Sequence, residues 1–494
     1  MAMIPLQIPP GVHANGTVFE SSNRWREASL VRWHDGSMRP VGGWTTRKAS
    51  AFTYAPRAMI AYLDNSSDEH LVAGTYEKLY YVNPSQTITD ITPSSGFTSG
   101  SLSGALNTGF GGGFYGRTNY GRAPSSSGVY AEATTWSLDT WGEYLLAVSS
   151  TDGKLLEWQG AVNANAATVA NAPTGNNAMV VTEERFVFCL GAGGNPRKVQ
   201  WSDKENNTVW NATATNEAGD MELQTNGQIM CGVRMRGATL ILTDTDAHVA
   251  TYSGAPFVYG FQRVGTACGV ASRKGAVAID EGAFWMGKKG FFTFDGSTAK
   301  EIPCEVADYI FDDMNPAQVS KVYAVHNSQF GEIWWFYPSA SSNENDRYVT
   351  LDYKEGHWAT GELSRTAGVD IGIFTNPIWA DASGNLYNQE TGYTHTGSAK
   401  PYAESGSITL GNGDTIMKVN QLIPDEKTQG QVAVTFKTRF HPNDTETVHG
   451  AFTLSNPTDV RFTGRQVRVK IQGVGNDNWR SGIMRIDANP GGRR

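Results

Sequence analysis

The chain has 494 residues, 39% hydrophobic and 11% aromatic, enough for roughly two to four domains with packed cores. Its net charge of −8 does not forecast tight nucleic-acid binding through a basic face, because that binding needs phosphates neutralised by Lys and Arg. With 55 Gly and 14 Trp, the composition suits many short strands joined by tight turns better than long helices.

The opening MAMIPLQIPPGV has no basic leader and no continuous apolar core, so it does not read as a signal peptide. No run of about 18 apolar residues follows anywhere, and no membrane-spanning helix is expected. Within residues 1–50, two apolar runs flank His34-Asp35-Gly36-Ser37, and Asp-Gly between such runs is a strong hairpin signal. Arg32 and Arg39 beside that turn can pair with carboxylates, although solvating a rim is the commoner fate. The whole segment 1–50 is expected to close or flank the domain that follows.

From residue 71 one unit recurs: two short β-branched or aromatic runs joined by a polar turn. It reads at 71–82, 144–158, 185–201, 239–252, 283–294, 333–353 and 377–387. The fullest copy is IWWFYPSASSNENDRYVTLDYKEGHW, which begins at Ile333. Ile241, Trp285, Trp334 and Trp379 follow one another at about 45 residues, the size of a propeller blade. The expected fold is therefore all-β: a β-propeller of six to eight blades over 51–398, with an antiparallel β-sandwich over 399–494. A single sandwich would not repeat so regularly.

Two stretches depart from the repeat. Residues 94–130 are Ser- and Gly-rich and contain GFGGGFYGRTNYG, an insertion long enough to be functional or disordered. Its glycines forbid a stiff element, while its aromatics argue against a plain linker. Residues 305–315 (EVADYIFDDMN) are the best helix, with Val306, Ile310 and Met314 on one face and Pro316 as the stop. After residue 399 the strands lengthen and alternate strictly, as in QVRVKIQ at 466–472, which predicts an antiparallel sheet with one wet face. WRSGIMRID near the end reads as a last strand before a basic terminus.

Chemistry is hard to find. Cys189, Cys231, Cys268 and Cys304 lie far apart without a CxxC, so buried free thiols are expected rather than a zinc site or disulfides. Ser137-Leu138-Asp139-Thr140-Trp141-Gly142 is one imperfect copy of a sialidase-type box, and no Trp is followed by Asp as in WD repeats. Gly153-Lys154 and Gly287-Lys288 lack the Ser or Thr of a P-loop. His441 and His449, the closest histidine pair apart from nothing better, are separated by Pro442 and are not expected to hold a metal. Glu183-Glu184 and Asp312-Asp313 are adjacent, so on a strand they would face opposite ways and could not flank one bond. His357 beside Trp358 is expected to serve a blade turn. No catalytic residue, cofactor or metal is expected.

Four segments carry a resemblance. They are the opening Ile4-Pro5 and Pro9-Pro10-Gly11-Val12 followed by RW…LVRWHDGSMRPVGGW; the glycine-tyrosine loop leading into TTWSLDTWGEYLLAV; EIWWFYPSASSNENDRYVTLDYKEGHW; and WRSGIMRIDANPGGRR. Over nearly the whole chain these resemble the tail tube, or nozzle, proteins of short-tailed bacteriophages, related to packaged-DNA stabilisation proteins. The resemblance implies a non-enzymatic virion protein, made in the host bacterial cytoplasm, that forms a ring of six below the portal and adaptor. Such a ring would retain packaged double-stranded DNA and conduct it during ejection without sequence-specific binding, beside tail fibre or tailspike proteins. A net acidic chain permits the sliding this requires. Phe114, Tyr115, Arg117, Tyr120 and Arg122 in the insertion become the candidates for the contact between subunits. The competing readings are a receptor- or carbohydrate-binding propeller of a phage tail and, third, a propeller glycoside hydrolase.

Overall fold

The computed structural model describes residues 2–17, 19–47, 51–105, 132–160, 164–280, 282–397, 400–410, 415–425 and 427–492. Seven four-stranded antiparallel sheets follow one another, from the sheet that starts with Ala58–Leu63 (blade 1) to the sheet that contains Leu386–Gln389 (blade 7). Each of the seven repeat hairpins expected from residue 71 onward forms the two middle strands of one sheet. In blade 6, for example, Glu332–Tyr337 pairs with Arg347–Asp352 along its full length. The first strands of the blades are Ala58–Leu63, Trp136–Trp141, Ala178–Val181, Ile229–Met235, Ala276–Ile279, Tyr323–Asn327 and Ala367–Val369. Each packs beside the next, and the last packs against the first, so the ring is closed. The fold is a seven-bladed β-propeller.

The period in the sequence has a packing cause. Ile241, Trp285, Trp334 and Trp379 all lie on the second strand of their blades and are buried between sheets. Trp334 of blade 6 meets Trp379 of blade 7 with ring centroids 5.3 Å apart. In blades 5 to 7 a Trp ring on the second strand fills the wedge that the sheet twist opens. Glycine is needed beside it: a Cβ on Gly368 would sit 2.4 Å from Trp379 Cδ1.

Residues 1–50 divide between two lobes. Trp44–Thr46 supplies the fourth strand of blade 7, pairing with Leu386–Gln389, so the ring is latched by strands from opposite ends of the chain. Val31–His34 and Ser37–Pro40 form the expected hairpin, with Asp35 (φ 52°) and Gly36 (φ 70°) in the left-handed turn that Asp-Gly favours. Ala2–Leu6 and Trp25–Ser29 belong instead to the sandwich. Its first sheet runs Ala2–Leu6, Met484–Pro490, Met417–Ile423, Thr458–Gly464. Its second runs Trp25–Ser29, Tyr402–Ser405, Gln466–Gly473, Val432–Arg439, Thr447–Thr453, with Ile408–Thr409 on the side of Gln466–Gly473. Val432–Arg439 alternates buried and half-buried residues without a break, as its sequence predicts.

The two lobes share one core. Val434, Phe436, Val469 and Phe462 of the sandwich belong to the same apolar cluster as Phe291, Trp335 and Trp358 of blades 5 and 6. The helix Ala307–Asp313 sits at this joint, with Val306 and Ile310 fully buried and Met314 packed against the cluster. Pro316 then opens a 3₁₀ helix, Pro316–Lys321, where its missing N–H costs nothing; the Asn315 side chain accepts from Ala317 N at 3.0 Å.

Arg32 fastens the hairpin. Its guanidinium donates to both oxygens of Glu332 (2.8 and 2.9 Å) and both of Glu390 (3.0 and 2.5 Å), in a setting where all three side chains are at most 5% exposed. Replacing Arg32 with Met leaves two buried carboxylates unpaired and is expected to destabilise the protein by about 3–5 kcal/mol. Adding Glu332→Gln and Glu390→Gln should restore part of that loss. Urea denaturation of the single and triple variants measures both effects, and an Arg32→Met chain as stable as the parent would contradict them.

Candidate functional site: the channel mouth and the base of the insertion

The inner strands of blades 2 to 7 line a cavity of about 450 Å³ on the propeller axis. Arg234, from blade 4, reaches past blade 3 to Asp139 of blade 2, with Nη2 and Oδ1 3.5 Å apart. Asp139 also accepts from Val181 N at 2.9 Å and Thr140 N at 2.8 Å. Burial raises the Asp139 carboxyl, and Arg234 opposes that rise. Lys274 reaches into the same space, and its ammonium has no hydrogen-bond or ion-pair partner among the described residues. Burial lowers its pKa. The Cys231 thiol nearby is pushed up to about 12 by burial, so it stays protonated and inert. On the far wall His326 Nδ1 lies 3.2 Å from Asp370 Oδ2 and Nε2 lies 3.2 Å from the Tyr353 hydroxyl. A cavity of about 450 Å³ is far too small to pass a duplex, whose major groove alone is about 12 Å wide.

One end of this channel carries the insertion. On the way out, Gly104 exchanges two backbone hydrogen bonds with the Gln318 amide (3.0 and 2.9 Å). Arg57 Nη2 donates to Leu102 O at 3.3 Å, and Lys321 Nζ to Ser103 Oγ at 3.2 Å. On the way back, Ala133 N donates to Ser320 Oγ at 3.1 Å, and Glu132 pairs with Arg273, which also lines the channel. Both ends of 106–131 are therefore held at the same 3₁₀ helix, Pro316–Lys321, beside the channel mouth.

A buried ion cluster underlies that attachment. Glu344 accepts from both terminal nitrogens of Arg57 at 2.7 Å and from Lys321 Nζ at 2.8 Å. Lys321 also donates to Asn343 O at 2.6 Å, and its side chain is 0% exposed. Burial, with Arg57 close by, lowers its pKa to about 8 despite Glu344. Burial alone would raise Glu344, but Arg57 and Lys321 more than reverse this and hold it below its ordinary value.

The five interface candidates, Phe114, Tyr115, Arg117, Tyr120 and Arg122, lie outside the described residues. Arg32 is a buried partner of two carboxylates rather than a rim solvator, whereas Arg39 stays near the surface, 3.6 Å from the exposed Asp35. Cys189, Cys231 and Cys268 are buried free thiols and Cys304 is a half-buried one. Glu183 accepts from Gly237 N and Glu184 from the Tyr259 hydroxyl, so the adjacent carboxylates serve different partners. His449 Nε2 is 2.9 Å from Thr438 Oγ1. Sequence reasoning did not find Arg57, Lys321 and Glu344; nothing local marks residues so far apart as partners. Among the described residues one group has the composition and spacing to hold a metal ion: His34, Asp352 and Glu355, where the N-terminal hairpin meets blade 6.

These pairings define a seven-bladed propeller fused to an antiparallel sandwich. No protein-family profile matches the chain, and no curated protein matches it. Among solved structures it is similar to virginiamycin B lyase from Staphylococcus aureus at 6% identity and a TM-score of 0.41, over 70% of this chain and 99% of that one. It is also similar to PorZ, a bacterial surface component of the type-IX secretion system of Porphyromonas gingivalis, at 8% identity and a TM-score of 0.39, over 77% and 44%. The Neurospora crassa Pan2 WD40 domain is 10% identical, with a TM-score of 0.38, over 72% and 95%. The fold stands on the strand pairings, and these likenesses assign no chemistry.

Lys321 gives the attachment a pH signature. The unfolded chain, with a lysine near 10.5, binds more protons than the native one between about pH 8 and 10.5. The penalty for burying this charge is complete below about pH 8 and disappears as pH rises toward 10.5. Relative to Lys321→Met, the parent should therefore gain stability across that range, by up to about 3 kcal/mol. Paired urea melts at pH 7, 9 and 10.5 measure the difference, and parallel pH dependences would contradict it.

Proposed function

We propose that this protein is a structural subunit of a short-tailed phage tail, a nozzle or tail-tube protomer that assembles into a ring, retains packaged DNA and conducts it during ejection. The observation that carries this reading is the convergence of the phrases that resemble that family. LVRWHDGSMRPVGGW, EIWWFY…KEGHW and WRSGIMRIDANP are hundreds of residues apart, yet they meet at the joint between the lobes. Arg32 pairs with Glu332, Asp35 N donates to Glu355 Oε1 at 2.8 Å, and Met38 and Ser481 exchange backbone hydrogen bonds at 3.1 and 2.8 Å. Segments gathered into one joint support a resemblance of three-dimensional units rather than of isolated words.

The small propeller cavity makes the route specific. DNA passes between subunits, along the axis of a closed ring built from one heterologous contact repeated around it. The insertion, fastened at both ends to the 3₁₀ helix Pro316–Lys321, is the strap between neighbours. Its aromatics supply contact area, and its glycines allow close backbone approach. A carbohydrate-binding role would instead call for a platform of exposed aromatics. The exposed Phe19, Phe257 and Phe440 stand on three separate elements.

Native mass spectrometry and electron microscopy of the purified protein mixed with its portal-adaptor proteins test the reading. A six-membered ring is expected. Replacing 106–131 with a short Gly-Ser linker should leave the melting temperature within a few degrees of the parent while abolishing the ring. A ring that forms equally well without the segment removes its role as strap. A parent protein that stays monomeric with those partners and is absent from virion tails removes the whole reading.

A further inference from the structure

Where the Asp-Gly hairpin meets the last turn of blade 6, three metal-ligating side chains converge, with His357 beside one of them. Ligand atoms of His34, Asp352 and Glu355 all lie within 4.8 Å of one another. His34 Nδ1 is 3.6 Å from Glu355 Oε1, and His357 Nε2 is 3.3 Å from Glu355 Oε2. Neither imidazole makes a hydrogen bond among the described residues. Asp352 is buried and commits Oδ1 to the N–H groups of Lys354 and Glu355, both at 2.9 Å, which leaves Oδ2 without a hydrogen bond. The ring nitrogens thus face carboxylates without being bonded to them.

From this geometry we infer a divalent-cation site of the zinc class, with His34, Asp352 and Glu355 as ligands, water in the fourth position, and His357 beside Glu355 outside the ligand shell. Tetrahedral zinc, with bonds of about 2.0–2.2 Å, holds its ligand atoms about 3.3–3.6 Å apart. The His34–Glu355 separation of 3.6 Å matches that spacing and exceeds an ordinary charge-assisted hydrogen bond of about 2.7–2.9 Å. The mixed nitrogen and oxygen donors suit zinc or a similar transition metal better than calcium, which takes oxygens alone. The rigid turn pre-forms half of the site: Asp352 and Glu355 come from one hairpin end, Asp352 caps that end, and Asp35 N donates to Glu355 Oε1. His34 comes from the other partner. A bound ion therefore clamps the N-terminal hairpin, which serves both lobes, onto blade 6.

Calorimetry on chelator-treated full-length protein titrated with Zn²⁺ tests this, with cobalt substitution as a spectroscopic check. One ion per chain is expected, together with a rise in melting temperature and visible absorption of tetrahedral Co²⁺. The double variant His34→Ala/Glu355→Gln should lose binding at least 10-fold while keeping the circular dichroism of the metal-free parent. His357→Ala should weaken binding by a smaller factor, and His441→Ala/His449→Ala should leave it unchanged. Absence of stoichiometric binding by the parent, or binding unaltered in the double variant, overturns the site. If the double variant does not fold, His34→Ala alone and the cobalt spectrum decide: unchanged affinity or an octahedral spectrum overturns it.

Discussion

The structure depends on a guanidinium in a nearly dry interior. Arg32 fills its donors with Glu332 and Glu390 and lies over the Phe330 ring, 3.7 Å from the centroid. One cation facing two carboxylates leaves an excess negative charge, and other donors disperse it. Trp334 Nε1 donates to Glu332 at 2.9 Å, while Gly42 N and Asn327 Nδ2 each donate to Glu390 at 3.0 Å. Burial raises Glu332, Arg32 pulls it back, and Glu390 pushes it up again, leaving it above its ordinary value. A triad of this kind adds little net stability over an apolar core, but it admits only one arrangement of its partners. Leu30 and Glu390, both at φ 56°, hold left-handed backbone beside it, a strain the surrounding bonds maintain.

That single arrangement organises the chain. On one side of the Arg32 hairpin, the strand Trp44–Thr46 latches blade 7; on the other, Trp25–Ser29 enters the sandwich. The hairpin is therefore a hub, and the common apolar core around Trp335, Trp358 and Phe436 makes its position insensitive to bending. The cluster of Arg57, Glu344 and Lys321 works in the same way beneath the insertion. In both places an ion cluster sets geometry where apolar packing alone would tolerate several registers.

The two lobes share one apolar core, and the segment 106–131 is anchored at both ends to one 3₁₀ helix beside the axial cavity. The polar groups that face the axis are largely committed to one another: Arg234 to Asp139, and His326 to Asp370 and Tyr353. Lys274 stands apart with a lowered pKa, but the neighbouring thiol of Cys231 is held protonated and offers it no nucleophilic partner.

Local pattern made the blades readable. Alternation over five or six residues, polar turns and a large apolar residue recurring on each second strand are short-range facts, and they named the middle hairpins of all seven sheets. The helix near Ile310 and the Asp35-Gly36 turn were legible for the same reason. Blade number, the latch and the lobe assignment of residues 2–6 and 25–29 were not, because ring closure depends on how far each sheet rotates against its neighbour, and that is a property of packed side chains. The pairings of Arg32 with Glu332 and Glu390, of Lys321 with Glu344, and of His34 with Glu355 span tens to hundreds of residues. Sequence by itself determined the repeating strand unit; only the tertiary structure decided which distant charges meet, since in a chain of this length no spacing rule links them before the ring closes.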